Sequence, residues 1–504
     1  MAVTVTSDFQ ILYNANTGIG DASTFSGFQR YGTACNGGQV SNTTTNWTTT
    51  VTSFSLVGKR ISTWMTAPAS VAPIADGGYR IVIGDGTNTR AYYVGGGDVA
   101  SFTQNGWNCF VLDGDSLPAG FTQVSGSAQP NLNAITEVGI GFNVTTKAVG
   151  NSPNVFWDIM QVGTGITVAG GTSSDVGTFD EIVAWDEQLS TATGTIRKLG
   201  DGVYSAQFGI TFGSTSSASH FEDTNSLLYF EGVGTQNIYK IATQGSASHT
   251  NIVRLGSRLG SGETSIGVNG VTIQSSQPWL LDTSDTNCIT ELFGCTFRGA
   301  GNGVNLSGEL RSCTIDGSAK AVVGSTLIRF STFSASSDTT GALLWNGSIN
   351  ITNSSFNGNV AGIDYPVAGT FTHTNLTFAG NTFDINFSGT GDLLINATGT
   401  SNTSSFTITG SGTVTIDNPV SLTFTGLQPD TEVRIYNSST MVELAGIENT
   451  SGSFSFQYNY VPDTEIIYVI FNIQYQPIKL RLILPANDTS LPIQQVFDRV
   501  YSNP

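Results

Sequence analysis

Charge is scarce in this sequence. Only 11% of the residues are Asp, Glu, Lys or Arg, against roughly 25% in an average globular chain. Basic residues are the scarcer kind: 19 Lys and Arg face 37 Asp and Glu, a net charge of −18. Such a chain lacks the cationic surface that holds phosphate backbones, and anionic membrane surfaces would repel it. Nucleic acid and membrane are therefore excluded as partners. Histidine occurs three times, as His220, His249 and His373, and none stands in an HExxH or similar ligand spacing. There is no P-loop, no nucleophile elbow and no dinucleotide fingerprint in a strand-to-helix setting, so no cofactor and no metal are expected. The five cysteines, Cys35, Cys109, Cys288, Cys295 and Cys313, contain no Cys-x-x-Cys pair for zinc or redox work. They read as buried free thiols made in a reducing cytoplasm. No apolar run approaches the ~18 residues of a membrane span. The opening "MAVTVTSDFQ" has no basic start leading into an apolar run, so no secretory signal is expected. Asn-x-Ser/Thr triplets such as Asn346-Gly-Ser and Asn375-Leu-Thr then read as accidents of composition.

What is present is Gly, Ser, Thr and Asn, with 60 glycines alone, and 39% apolar residues, enough for a core. A length of 504 residues allows about three domains. The most informative stretch is "ITELFGCTFRGAGNGVNLSGELRSCTIDG" (289–317), in which "ELFGCTF" returns as "ELRSCTI". The last apolar residue of each unit recurs as Phe297, Ile315, Phe333, Phe356 and Phe378, at steps of 18, 18, 23 and 22 residues. Two residues earlier stand Cys295, Cys313, Ser331, Ser354 and Leu376; between the two columns lie Thr296, Thr314, Thr332, Ser355 and Thr377. Side chains alternate along a strand, so the outer two columns point inward and the hydroxyl column outward. A further apolar column, Leu292, Leu310, Ile328, Ile351 and His373, lies five residues before the last one. It breaks the alternation unless the chain bends near Gly294, Ser312, Phe330, Asn353 and Asn375. Gly and Asn suit that bend because they tolerate left-handed backbone. A strand-bend-strand repeat of about twenty residues predicts a β-solenoid, best fitted by a right-handed parallel β-helix. Each coil must match the one below it, which is why the sequence echoes itself. "SLLYFEG" (226–232), "NIVRLGS" (251–257) and "GVTIQSS" (270–276) read as earlier coils. "GDLLINATGT" (391–400) and "SSFTITGSGTVTI" (404–416) read as later ones. The solenoid is placed at 170–416.

Residues 1–165 carry instead well-spaced strands with Gly, Asn, Asp and Pro turns, such as "RIVIGDGTNTRAYYVGG" (80–96), "GWNCFVLDG" (106–114), "ITEVGIGFNV" (135–144) and "VFWDIMQVG" (155–163). They predict an all-β sandwich whose layout resembles a concanavalin-like jelly roll. Residues 417–504 predict a small antiparallel sandwich, Ig-like in size. Its "VSLTFTGLQPDTEVRIY" (420–436) reads as a strand, a Pro-Asp turn and a second strand. The closing "LPIQQVFDRVYSNP" is too apolar for a frayed end and is expected to be tied down, within this sandwich or against a neighbouring chain.

The coil pattern followed by "GLQPDTEVRIY" and ending in "LPIQQVFDRVYSNP" resembles a group of bacteriophage virion proteins. The resemblance covers residues 170–504, implies a virion setting and transfers no catalytic residue. The chain then reads as a structural protein on the outside of a phage particle, a capsid decoration or protrusion or a tail fibre or spike. It would work as a homotrimer, contact other virion proteins and touch host-surface glycans. Trp185, Trp279, Trp345 and Tyr365 lie in or near solenoid loops, and aromatic rings stack on sugars. Trp345 and Tyr365, with the stacked Arg311 and Arg329, are the candidate glycan contacts. The alternative is a tailspike-type polysaccharide depolymerase, which needs two carboxyl groups about 5–9.5 Å apart. Glu291 and Glu309, equivalent positions of adjacent coils, are the pair that spacing offers. The competing reading is a solvated edge where Glu309 and Arg311 offset one another. The acidic run "FDEIVAWDEQ" (179–188) reads as a surface stretch at the domain junction.

Overall fold

The computed structural model describes residues 3–7, 10–13, 23–25, 35–40, 44–67, 72–73, 77–95, 106–146, 155–171, 176–188, 196–230, 239–275, 277–345, 350–417, 419–459 and 463–498. Among them the chain is all-β, interrupted by one α-helix, Phe179–Gln188, and one 3-10 turn, Gly262–Thr264. No helix is long and apolar enough to cross a membrane. The chain divides into two compact units, Met1–Asp338 and Thr339–Pro504.

The first unit opens with two antiparallel sheets of six strands each. One runs Asn108–Asp113, Arg60–Thr66, Val155–Gly163, Cys35–Gly38, Ser23–Phe25, with Gln10–Tyr13 also on Val155–Gly163. The other runs Phe121–Ser125, Thr89–Gly95, Tyr79–Gly84, Ile135–Thr146, Thr44–Phe54, with Ala72–Pro73 beside Ile135–Thr146. Rings from the two sheets meet in one core: Trp47 lies 4.8 Å from Trp157 and Tyr79 4.5 Å from Phe110, centroid to centroid. The hairpin joining Tyr79–Gly84 to Thr89–Gly95 turns on Asp85. Its carboxylate accepts the backbone N–H groups of Thr87 and Asn88 (2.9 and 2.7 Å) and, across the turn, of Asn131 (2.8 Å). Those donors hold the Asp85 carboxyl down at about 2.

Between Gly165 and Asp417 most of the pairing is parallel. In the first unit one series stacks Val203–Ala206, Leu227–Phe230, Thr272–Ser275, Thr296–Arg298, Thr314–Asp316 and Thr332–Ser334. A second stacks Ser219–Asp223, Asn251–Leu255, Cys288–Phe293, Gly303–Arg311 and Ala321–Arg329. Like residues lie on like: Phe297 on Ile315 on Phe333, and Leu292 on Leu310 on Ile328. All six side chains are buried. The second unit repeats the pattern, with Phe356 on Phe378 (centroids 5.2 Å apart) and His373 beside Ala397. The expected bend is present in both units: Gly294, Ser312, Phe330, Asn353 and Asn375 all have positive φ, between 51° and 65°. A left-handed residue turns the strand so that both flanking apolar columns face the interior, which is how one chain reads inward on both sides of a parity break.

Residues 419–498 form a five-stranded sheet in the order Glu443–Asn459, Pro419–Asn437, Glu465–Asn472, Tyr475–Ile483, with Thr489–Pro492 also on Pro419–Asn437. Here the expected hairpin at Pro429-Asp430 is corrected. Pro419–Asn437 is one bent strand whose two halves both pair with Glu443–Asn459. Gly426 and Asp430 have φ of 77° and 61°, and together they make an irregularity that bends the strand without reversing it. The acidic run at 179–188 is the α-helix. Phe179, Ile182, Val183 and Asp186 are its buried face. Thr178 and Glu181 form a capping-box pattern at its start, with the Glu181 N–H donating to the Thr178 hydroxyl at 3.4 Å.

Candidate functional site

The outward face of the second parallel series carries a charged column. Glu222, Arg254, Glu291 and Glu309 are successive register partners, so a single position recurs coil after coil. Arg254 bridges its neighbours: its Nε donates to Glu291 at 2.6 Å and its Nη1 to Glu222, which also bonds His220 Nε2 at 2.7 Å. Glu309 takes the Arg311 guanidinium and lies 3.9 Å from Arg258. The pair Glu291 and Glu309 lines a surface depression of about 330 Å³ together with Thr290 and Ser307. Each carboxylate is thus already engaged by an arginine; of the expected solvated edge the Glu309–Arg311 pairing is present, but Arg311 is buried.

Arg311 and Arg329 are not solvent-facing sugar contacts. They are 2% and 7% exposed, covered by the hairpin Ser257–Leu259 and Ile266–Val268, whose tip is the 3-10 turn. Arg311 Nη1 donates to the Ser265 carbonyl at 3.1 Å, and Arg329 pairs with Glu263. Arg258 closes the same hairpin through Ser265 Oγ (2.8 Å) and the Gly262 carbonyl (3.0 Å). The arginine column therefore staples a hairpin that the repeat pattern does not announce.

Trp345 and Tyr365 are likewise corrected as glycan contacts: both are buried, Tyr365 completely, and neither offers a ring face to a sugar. They form an internal aromatic cluster, 5.3 Å apart and stacked, with Phe371 and His373 against them. The Tyr365 hydroxyl and His373 Nε2 are 2.6 Å apart, and His373 Nδ1 and Thr403 Oγ1 are 2.8 Å apart. Burial pushes His373 down to about 3 and holds the Tyr365 phenol well above its usual range, so both remain neutral. Trp279 is buried as well, its indole N–H donating to the Arg298 carbonyl at 2.7 Å, and Trp185 lies on the helix, half-buried. Of the glycosylation triplets, Asn375 is committed to Asn353 (2.8 Å) and to the Thr400 N–H (2.9 Å), and Asn346 lies outside the described residues.

A second acidic concavity is one that sequence reasoning missed. A cleft of about 530 Å³ is lined by Asp180, Asp201, Tyr204, Glu222, Asp223 and Asn225. The Lys198 ammonium bonds Asp180 at 3.0 Å and the Tyr204 hydroxyl donates to it at 2.8 Å. The lysine hydrogen bond is the main reason its carboxyl sits below the usual range. Asp223 is pushed the other way by burial, even though Ser226 Oγ and the Phe179 N–H, at the start of the helix, both donate to it. Two carboxyls of one cleft are thus biased toward opposite protonation states, the property that acid–base chemistry uses. Asp180 and Asp223 lie 43 positions apart in the sequence, and only the helix and the coil beside it bring them together. No protein-family model matches this sequence, and no curated protein matches it either.

Proposed function

We propose that this chain is a bacteriophage virion structural protein displayed on the particle exterior, working as a homotrimer. In this reading residues 170–416 are a right-handed parallel β-helix, 1–165 a concanavalin-like jelly roll and 417–504 an Ig-like sandwich. The observation that carries it is the in-register stacking of equivalent side chains on parallel strands, with the charged column already neutralised by its own arginines. Stacked coils whose backbone donors and acceptors are paired resist proteases and bending, which suits a particle surface. The outward Thr296, Thr314 and Thr332 are half-exposed and aligned. They supply the neutral hydroxyl surface that hydrogen-bonds sugars, so glycan contact is assigned to this column and not to Trp345, Tyr365, Arg311 or Arg329. The proposal covers both placements, on the head as a decoration or protrusion and on the tail as a fibre or spike. Mass spectrometry of purified particles, with antibody labelling in electron micrographs, tests it. The protein should be found in every particle and labelled on the outside; its absence from purified particles would falsify the reading.

A second reading, the polysaccharide depolymerase, is favoured by the cleft holding Asp180 and Asp223. Incubation with host capsular polysaccharide measures it. New reducing or unsaturated ends that disappear in Asp223→Asn and Asp180→Asn would make the protein an enzyme and move its site away from Glu291 and Glu309.

A further inference from the structure

The exposed apolar residues of this chain are unevenly spread. Of the 22 large hydrophobics exposed among the described residues, ten lie between Met441 and Phe497. Many of them sit at two edges of the C-terminal sheet. One edge is Tyr475–Ile483, where Leu480 and Ile483 are 54% and 59% exposed. The other begins at Glu443, where Met441, Val442, Leu444 and Ile447 are exposed. Among the described residues Glu443–Asn459 pairs with Pro419–Asn437 alone and 478–483 with Glu465–Asn472 alone, so a row of backbone N–H and C=O groups stays available. The C-terminal segment covers only the start of one edge: the Gln476 N–H donates to the Val496 carbonyl, and Tyr475 is bridged to Phe497. Because that bridge is antiparallel, the segment before Val496 is the one that heads toward 477–483, and its Leu491, Pro492 and Ile493 pair with Phe424 and Thr425 instead.

The edges differ in charge. Around the Glu443 edge, Glu432, Glu443 and Glu448 share the single Arg434, at 2.7, 2.9 and 2.6 Å, an excess of two negative charges. The other edge carries Lys479 and Arg481 against Glu465, which bonds Arg481 at 2.7 Å, an excess of one positive charge. Both edges also carry apolar side chains of the kind that a partner strand covers. An acidic apolar edge and a basic apolar edge on one sheet complement each other between molecules, not within one.

We propose that the edge Tyr475–Ile483 of one copy pairs with the edge starting at Glu443 of a second copy of this chain. The contact is heterologous, so it closes into a ring when the rotation permits, and three copies are the ring that the proposed trimer requires. The inference rests on the reading that the chain self-associates, and the experiment separates the two. Light scattering on the full-length protein gives its mass in solution, with circular dichroism as the folding control. Wild type should show a multiple of the 52.9 kDa chain, three copies if the ring closes as proposed. Lys479→Glu with Arg481→Glu should shift it to single chains, as should Glu443→Lys with Glu448→Lys. The protein carrying all four changes should regain the wild-type mass. Leu480→Lys, a change at an exposed position, should weaken association at least tenfold and serves if a charge variant misfolds. Folded variants that keep the wild-type mass, or a fourfold variant that stays monomeric, sink the edge contact while leaving self-association intact. A monomeric wild type sinks both, and then Lys479 and Pro477 are guards that keep the edge unpaired.

Discussion

Phe333 stacks under Ile315 in the repeated apolar column and is 1% exposed. Truncation to Ala leaves a cavity that the neighbouring coil cannot close, because Ile315 is held in register beside it. Phe333→Ala should therefore cost about 3–5 kcal/mol, read as a drop in the urea midpoint at unchanged slope. His373 makes a second, pH-dependent prediction. It is neutral in the folded chain down to about pH 3 because of burial, whereas an unfolded histidine takes its proton near pH 6.5. Between those values the unfolded chain binds one more proton. Stability is thus intact above about pH 6.5 and falls as pH is lowered through that window, by about 1.4 kcal/mol per unit from this group. His373→Gln removes the titration. Denaturation at pH 7, 5.5 and 4.5 should show the gap between wild type and variant narrowing as pH falls; a constant gap would refute the buried neutral imidazole.

At the scale of elements, the left-handed bend is what joins the two inward columns. Asn375 holds φ at 53°, bonds Asn353 and receives the Thr400 N–H. A β-branched residue is a conformational outlier there. Asn375→Val should cost about 2–3 kcal/mol, from roughly 1–2 for the backbone and about 1 for the lost hydrogen bonds. Asn375→Gly, which keeps the conformation, should cost less, and thermal melts of the two variants check the order. The closing segment is a second element with a definite role. Leu491 and Pro492 pair in parallel with Phe424 and Thr425, and Leu491 and Ile493 pack on the sheet's core. The Gln495 side chain accepts the Gln428 N–H at 2.7 Å. Of the two expectations for this tail, its described part follows the intrachain one. Deleting residues 491–504 should expose amides of 419–483 to rapid hydrogen exchange while those of 350–417 stay protected. Full protection in both stretches would show that the tail is dispensable for the sheet.

For the molecule as a whole, the question is whether its carboxylates are structural or catalytic. Glu291 is engaged by Arg254 on a partly exposed face, where such a pair contributes about 1 kcal/mol or less; Glu309 takes the buried Arg311, and a glutamine carbonyl in its place still accepts that N–H. The double variant Glu291→Gln, Glu309→Gln should keep the wild-type circular dichroism spectrum, melt within a few degrees of it and leave host attachment unchanged. A glycan-cleaving activity that vanished in this variant would overturn the structural reading.

The repeat alone was enough to determine the stacked columns, their inward and outward assignment and the left-handed bend. Each of these is a local pattern that must recur for coils to match, and so it is written in spacing. The strands at 79–95, 108–113, 135–146 and 155–163 were legible for a similar reason, since turn residues punctuate them. The rest was decided by contacts between distant positions. Composition offered Trp345 and Tyr365 as surface aromatics, but His373 and Thr403 provide an interior hydrogen-bond path that lets a phenol and an imidazole be buried. Arg311 and Arg329 looked like a solvated column until the hairpin at 257–268 closed over them. Asp180 and Asp223 share no motif; a capped helix and one coil place them in the same cleft, and burial of one against a lysine on the other separates their protonation. Spacing along a chain encodes what repeats with the chain. Which side chains lose their water depends on what folds over them, and only the tertiary structure decides that.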